Sequence, residues 1–147
     1  MPAPTIRASA SAGGFFWLAR AIRLSRYSPG ELLGGVFFAD PRHPGAETAG
    51  FLLMVLLGST LLPVVYAVVL RALGAVTWWS GLILGGVHGL LAAAALPLIG
   101  MISASVRAGR IPGPGPFGSD WGAATPVVLV IGHILYGALF GAILASS

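Results

Sequence analysis

Apolar residues in this chain fall into three long runs, each closed by a charge or a turn. The first runs from Thr48 to Leu70, between Glu47 and Arg71. The second runs from Thr77 to Ile102, with no charge between Arg71 and Arg107. The third runs from Pro126 to Leu144. Each is close to or above the ~20 residues that carry a helix across a hydrocarbon core of ~30 Å. The pattern predicts an all-α integral membrane protein, a three-span helical bundle. The link from Arg71 to Thr77 is short enough to make spans one and two an antiparallel hairpin. Trp78, Trp79 and Trp121 stand at span entries, as aromatic belt residues do.

Ahead of the first run the pattern changes. Gly14 to Arg26 places Phe15, Leu18, Ala19 and Ile22 on one helical face with Arg20 and Arg23 turned away. This stretch is too short and too charged to cross, and predicts an amphipathic helix at the interface. Ser28-Pro29-Gly30-Glu31 predicts a helix start, with Ser28 as N-cap and Glu31 reaching back as in a capping box. The following LLGGVFFA must stop by Asp40-Pro41, so it lies at the surface or tucked against the bundle, and DPRHPG makes a turn. Residues 1–45 therefore read as an interfacial region and 46–147 as the transmembrane domain. Nothing in Met1 to Ala12 predicts structure. A cleavable signal peptide is not expected, because the apolar stretch is short and arginines follow it. The lack of acid before Glu31 keeps a mitochondrial presequence as the alternative.

Composition narrows the class. Apolar residues make up 56% of the chain and charged residues 8%, against roughly 25% charged in soluble domains. A soluble fold is excluded, and 147 residues leave no room for a separate soluble domain. All eight basic residues are arginine, which points to a bacterial genome of high GC content. They flank the spans, so the positive-inside bias accounts for the charge and no nucleic-acid partner is expected. Arg20, Arg23, Arg26, Arg42, Arg107 and Arg110 fall on one side and Arg71 on the other. That places the N-terminus in the cytoplasm and the C-terminus outside, in a bacterial inner membrane. With no cysteine, disulfides, thiolate metal sites and a thiol nucleophile are all absent.

Polar residues inside the spans mark the candidate chemistry. Counted from the outer span ends, Ser59, His88 and His133 each lie about 16–18 Å deep, near mid-membrane. Pro63 has no N–H to give the Ser59 carbonyl, which leaves an acceptor at the same depth for an imidazole. Ser59, Thr60, Tyr66, His88, His133 and Tyr136 form the expected polar core. Gly81, Gly85 and Gly89 on span two and Gly137 and Gly141 on span three are expected packing positions. The face through Gly81, Gly85, His88, Ala92 and Ala95 carries the histidine inward. Pro97 frees the Ala93 carbonyl in the same way.

Three readings of this centre compete. The histidines fix the register of a packed bundle; or His88 and His133 ligate a b-type haem or chlorophyll-type pigment; or they relay protons or a small solute. No metal site is expected. Glu31, Asp40, Glu47, Asp120 and His43 read as turn and span-end residues. SPGELLGG, GPFGSDWG and GHILYGALFGAI resemble the small multi-pass membrane proteins of unknown function of bacterial genomes, whose last-helix pattern matches His133, Tyr136, Gly137 and Gly141. The resemblance implies no activity. The expected function is a non-enzymatic accessory or interaction subunit. Its partners are the lipid bilayer and either other membrane subunits or itself, because glycine faces left over on spans two and three call for a neighbour.

Overall fold

The computed structural model describes residues 14–26 and 28–146; the expectation for Met1 to Ala12 lies outside them. The protein is all-α, with three helices long and apolar enough to cross a membrane. Residues 14–21 form α1, and Pro29–Phe37 form α2. The first span is α3 (Ala46–Leu56), a π-helical turn (Leu57–Leu61) and α4 (Leu62–Ala72). The second is α5 (Trp78–Ile102), followed by the short α6 (Ala104–Arg107) and an irregular helical turn (Pro116–Trp121). The third is α7 (Thr125–Ala145). The observed spans lie within two residues of the expected ones.

In lipid there is no hydrophobic gain from helix on helix, so close van der Waals contact must hold the bundle. The α5–α7 pair is built that way. A Cβ on Gly81 would collide with the carbonyl oxygen of Gly137 and lie 2.9 Å from Gly141 Cα. One on Gly85 would collide with the carbonyl oxygen of His133, and one on Gly89 would lie 2.9 Å from Val130 Cα. The two helices run antiparallel with backbones touching. The line of closest approach is Gly81, Gly85, Gly89 and Ala93; Ala92 and Ala95 sit beside it, only half buried. The glycines of spans two and three are therefore used within the chain, which removes the expected leftover glycine face.

A second glycine crossing docks α2. A Cβ on Gly50 would collide with the Gly30 carbonyl and stand 2.5 Å from Gly34 N, and one on Gly34 would collide with the Ala46 carbonyl. Ser28 caps α2, accepting from the Glu31 N–H at 3.3 Å. Glu31 does not complete a capping box, because its carboxylate goes to Arg20 at 2.6 Å. Leu32 reaches a core shared with Ala93, Leu96, Trp121 and Leu129. Trp121 is thus a core residue and not a belt anchor, and its indole N–H donates to the Pro112 carbonyl at 3.0 Å. Trp78 and Trp79 are exposed, as a belt requires.

The N-terminal helix uses a different face from the expected one. Phe16 and Ala19 are buried, whereas Leu18 and Ile22 are exposed. A Cβ on Gly132 would stand 2.7 Å from Phe16 Cε1, and Ser25 Oγ is hydrogen-bonded to Thr125 Oγ1 at 2.7 Å. The segment therefore runs antiparallel to the first two turns of α7.

Candidate functional site

The polar centre forms where α4, α5 and α7 meet. Tyr66 (2% exposed) and Tyr136 (4%) pack edge to face at 5.4 Å between ring centroids, against Phe140. The Tyr66 hydroxyl and His88 Nδ1 are hydrogen-bonded at 3.0 Å, which ties the first span to the second. His133 Nδ1 donates to the Leu129 carbonyl one turn back at 2.8 Å. A carbonyl can only accept, so that nitrogen carries the hydrogen and Nε2 is the acceptor of the uncharged ring. The two imidazoles meet edge to face with centroids 4.5 Å apart, and Phe16 closes on His133 from α1 at 6.2 Å.

The side-chain donor on a first-span carbonyl is a tyrosine hydroxyl, and it meets the carbonyl one residue before Ser59. In the π-helical turn the Leu62 N–H donates to the Leu57 carbonyl, an i→i+5 pattern. Continued one step, that register assigns Gly58 to Pro63, which has no hydrogen to give. The orphaned acceptor is Gly58, not Ser59, and its donor is the Tyr136 hydroxyl at 2.7 Å, not an imidazole. This bond ties the third span to the first. A run of apolar residues gives no local sign of a π turn, so the shift was not readable from spacing.

Thr60 is not part of the centre. It is exposed on the outer side of the first span, and its hydroxyl donates back to the Leu56 carbonyl at 2.6 Å, which satisfies it locally. Ser59 is half buried nearby. Tyr66, His88, His133 and Tyr136 are brought together.

The arrangement limits what the site can do. A macrocycle ligated by both histidines must lie between them, and rings in edge contact leave no such gap. The glycines beside His88 make no slot either, since Gly85 and Gly89 are filled by the backbone of α7. The residues do not fit bis-histidyl ligation. Nor do they form a path. Between His133 and Thr125 the buried residues of α7 are Val128, Leu129 and Gly132, about 12 Å without a polar side chain. Among the described residues every buried polar side-chain atom has a hydrogen-bond partner, and no three metal-ligating side chains cluster. His43 lies in the α2–α3 turn, stacked on Phe38 at 4.4 Å, its Nδ1 accepting from the Gly45 N–H.

The centre therefore works as a clasp, and its strength is measurable. A double-mutant cycle over Tyr66→Phe and His88→Phe, followed by unfolding in mild detergent, is expected to give a coupling of about 0.6 kcal/mol and at most about 1.7. A coupling of zero would mean that the hydroxyl and imidazole do not hold the spans together.

Comparison of the chain with protein-family models, with curated proteins and with solved structures found no match.

Proposed function

We propose that this protein is a non-enzymatic accessory or interaction subunit of a membrane assembly, formed with other membrane proteins or with further copies of itself. The observation that carries the reading is the closed core. The polar constellation of Tyr66, His88, His133 and Tyr136 turns its Nδ1 and hydroxyl groups on the bundle itself, with the histidine rings in contact and every buried polar side-chain atom among the described residues partnered. A bundle without an internal site, lined outside by apolar residues such as Leu52, Leu56, Val64, Val68, Leu90 and Leu91, has only its surface to act with. In a bilayer that surface meets lipid and other membrane proteins.

The arginine count supports a cytoplasmic position for the face bearing Arg20, Arg23, Arg26, Arg42, Arg107 and Arg110 and an outside position for Arg71, and the absence of lysine supports a bacterial inner membrane. Membership of the small bacterial multi-pass proteins suggested by the GHILYG stretch agrees with such a role and adds no chemistry to it.

The test is purification at native expression level in mild detergent, with native mass spectrometry and a visible spectrum. A colourless protein, running in an assembly heavier than the single 14.9 kDa chain and unchanged by His88→Phe, is the expected result. A Soret band lost in His88→Ala and His133→Ala would replace the reading with cofactor binding. Proteoliposome flux abolished by the same variants would replace it with transport.

A further inference from the structure

On the arginine-rich face, between α1, the start of α2 and the loop before α7, lies a cavity of about 550 Å³ lined by Arg20, Arg23, Arg26, Glu31, Ile111 and Trp121 among others. Its size is within the roughly 300–1,000 Å³ of small-ligand sites. Its charge is lopsided. Glu31 is engaged by Arg20 at 2.6 Å, and Arg23 and Arg26 have no acidic partner among the described residues.

The backbone is bent to gather these arginines. Helix α1 closes with the Leu24 N–H donating to the Ala19 carbonyl at 2.9 Å and the Arg23 N–H to the Arg20 carbonyl at 3.0 Å. Arg23 takes φ 59°, the left-handed conformation that glycine usually fills at a helix end. The Arg26 N–H then donates to the Trp121 carbonyl at 2.8 Å, and Ser25 is held by Thr125. The arginine turn is thereby fastened to the first turn of α7, where the apolar span begins. The cavity stands beside the end of the third apolar span.

A second cavity of about 230 Å³ shares Arg20 and Ser28 with the first. Its wall includes Phe16, Trp17, Phe51 and Met54 together with Glu47. The two together pair a compartment holding an excess of arginine with a mainly apolar one.

We infer that these joined cavities bind an anionic phospholipid, its phosphate held by Arg23 and Arg26 in the first and an acyl chain laid in the second. Guanidinium groups match phosphate oxygens bidentately, and basic pockets between transmembrane helices take anionic headgroups. The recognised chemistry is a phosphate-bearing anion. A free phosphate compound would need the first cavity alone, whereas the apolar second cavity, with Trp17, Leu18 and Ile22 exposed beside it, suits a lipid. The inference does not depend on the accessory-subunit reading.

The test adds equal amounts of phosphatidylglycerol and phosphatidylcholine to the delipidated protein and counts retained lipid by native mass spectrometry. The wild type is expected to retain phosphatidylglycerol about tenfold over phosphatidylcholine, the factor of one strong charge-assisted contact. Arg23→Gly combined with Arg26→Gln is expected to abolish that preference, while Arg42→Gln, a charge removed from the α2–α3 turn on the same face, leaves it intact. Arg23→Gly relieves a left-handed backbone, so its thermal stability should hold or rise, and lost lipid in that variant is not lost fold. Equal retention of the two lipids, or a preference that survives the double substitution, would overturn the proposal. So would inorganic phosphate binding calorimetrically to the wild type while the lipid preference is absent, which would assign the cavity to a free phosphate compound.

Discussion

Gly137→Ala is expected to lower the unfolding free energy by about 1–3 kcal/mol, the usual cost of forcing extra volume into a packed core, and Gly137→Val to prevent stable folding. The added methyl would collide with the Gly81 carbonyl and stand 2.9 Å from Gly85 Cα. Both obstacles are backbone, so relief requires moving α5 as a whole. Separating the helices also weakens every contact along their line, because dispersion falls off within an ångström of the optimum. Unfolding in mild detergent measures the effect, and Gly86→Ala is the control. Its methyl would stand 3.6 Å from Ile134 Cγ1, an ordinary contact, so it should change stability by no more than about 0.5 kcal/mol. Equal losses at the two positions would show that the crossing does not set the cost, since helix propensity by itself favours alanine over glycine.

Gly50→Ala acts on the other glycine crossing, with a different expected outcome. Its methyl would strike the Gly30 carbonyl and the Gly34 N–H and push α2 off α3. The glycine contacts of Gly81, Gly85 and Gly89 with α7 do not involve α2, so the damage should stay local. Arginine-specific proteolysis reads it out at Arg42 in the exposed turn. Where opening and closing are faster than cleavage, the rate follows the population of the open form, and 1.4 kcal/mol is about a tenfold rise. The main unfolding transition is expected to remain near that of the wild type. If it falls together with the protease resistance, α2 belongs to the same cooperative unit as the spans.

The spans were legible because length and hydropathy along the chain are one-dimensional properties. The start of α2 was legible too, since Ser28 and Pro29 act on their own neighbours. The meeting of His88 and His133 was legible, because helical rise converts residue number into depth; the two tyrosines carried no such mark. Residues that must face something were harder. Thr60 and Tyr66 both read as polar core because both are polar residues of the first span, yet a threonine hydroxyl reaches its own helix carbonyl and settles at the lipid side, whereas a tyrosine hydroxyl must find a partner across a gap. Trp121 and Trp78 both read as belt residues; the loop folding back over α5 buries only the first. Phe16, the residue that closes on Gly132 and His133, carried no signal, because Phe15, Phe16, Trp17 and Leu18 are all apolar.

From the sequence alone came the solvent: three long apolar runs commit the chain to a bilayer, three times across, whatever the helices then do to one another. Which face of each helix meets which was left to the tertiary structure. In water an apolar stripe marks the inward face, but in lipid every face of a span is apolar and the stripe vanishes. What remains is fit: where a backbone can touch a backbone, as at Gly81 on Gly137, and where a carbonyl orphaned by Pro63 finds the hydroxyl of Tyr136. Both are relations between residues far apart in the chain, and they exist only once the helices are side by side.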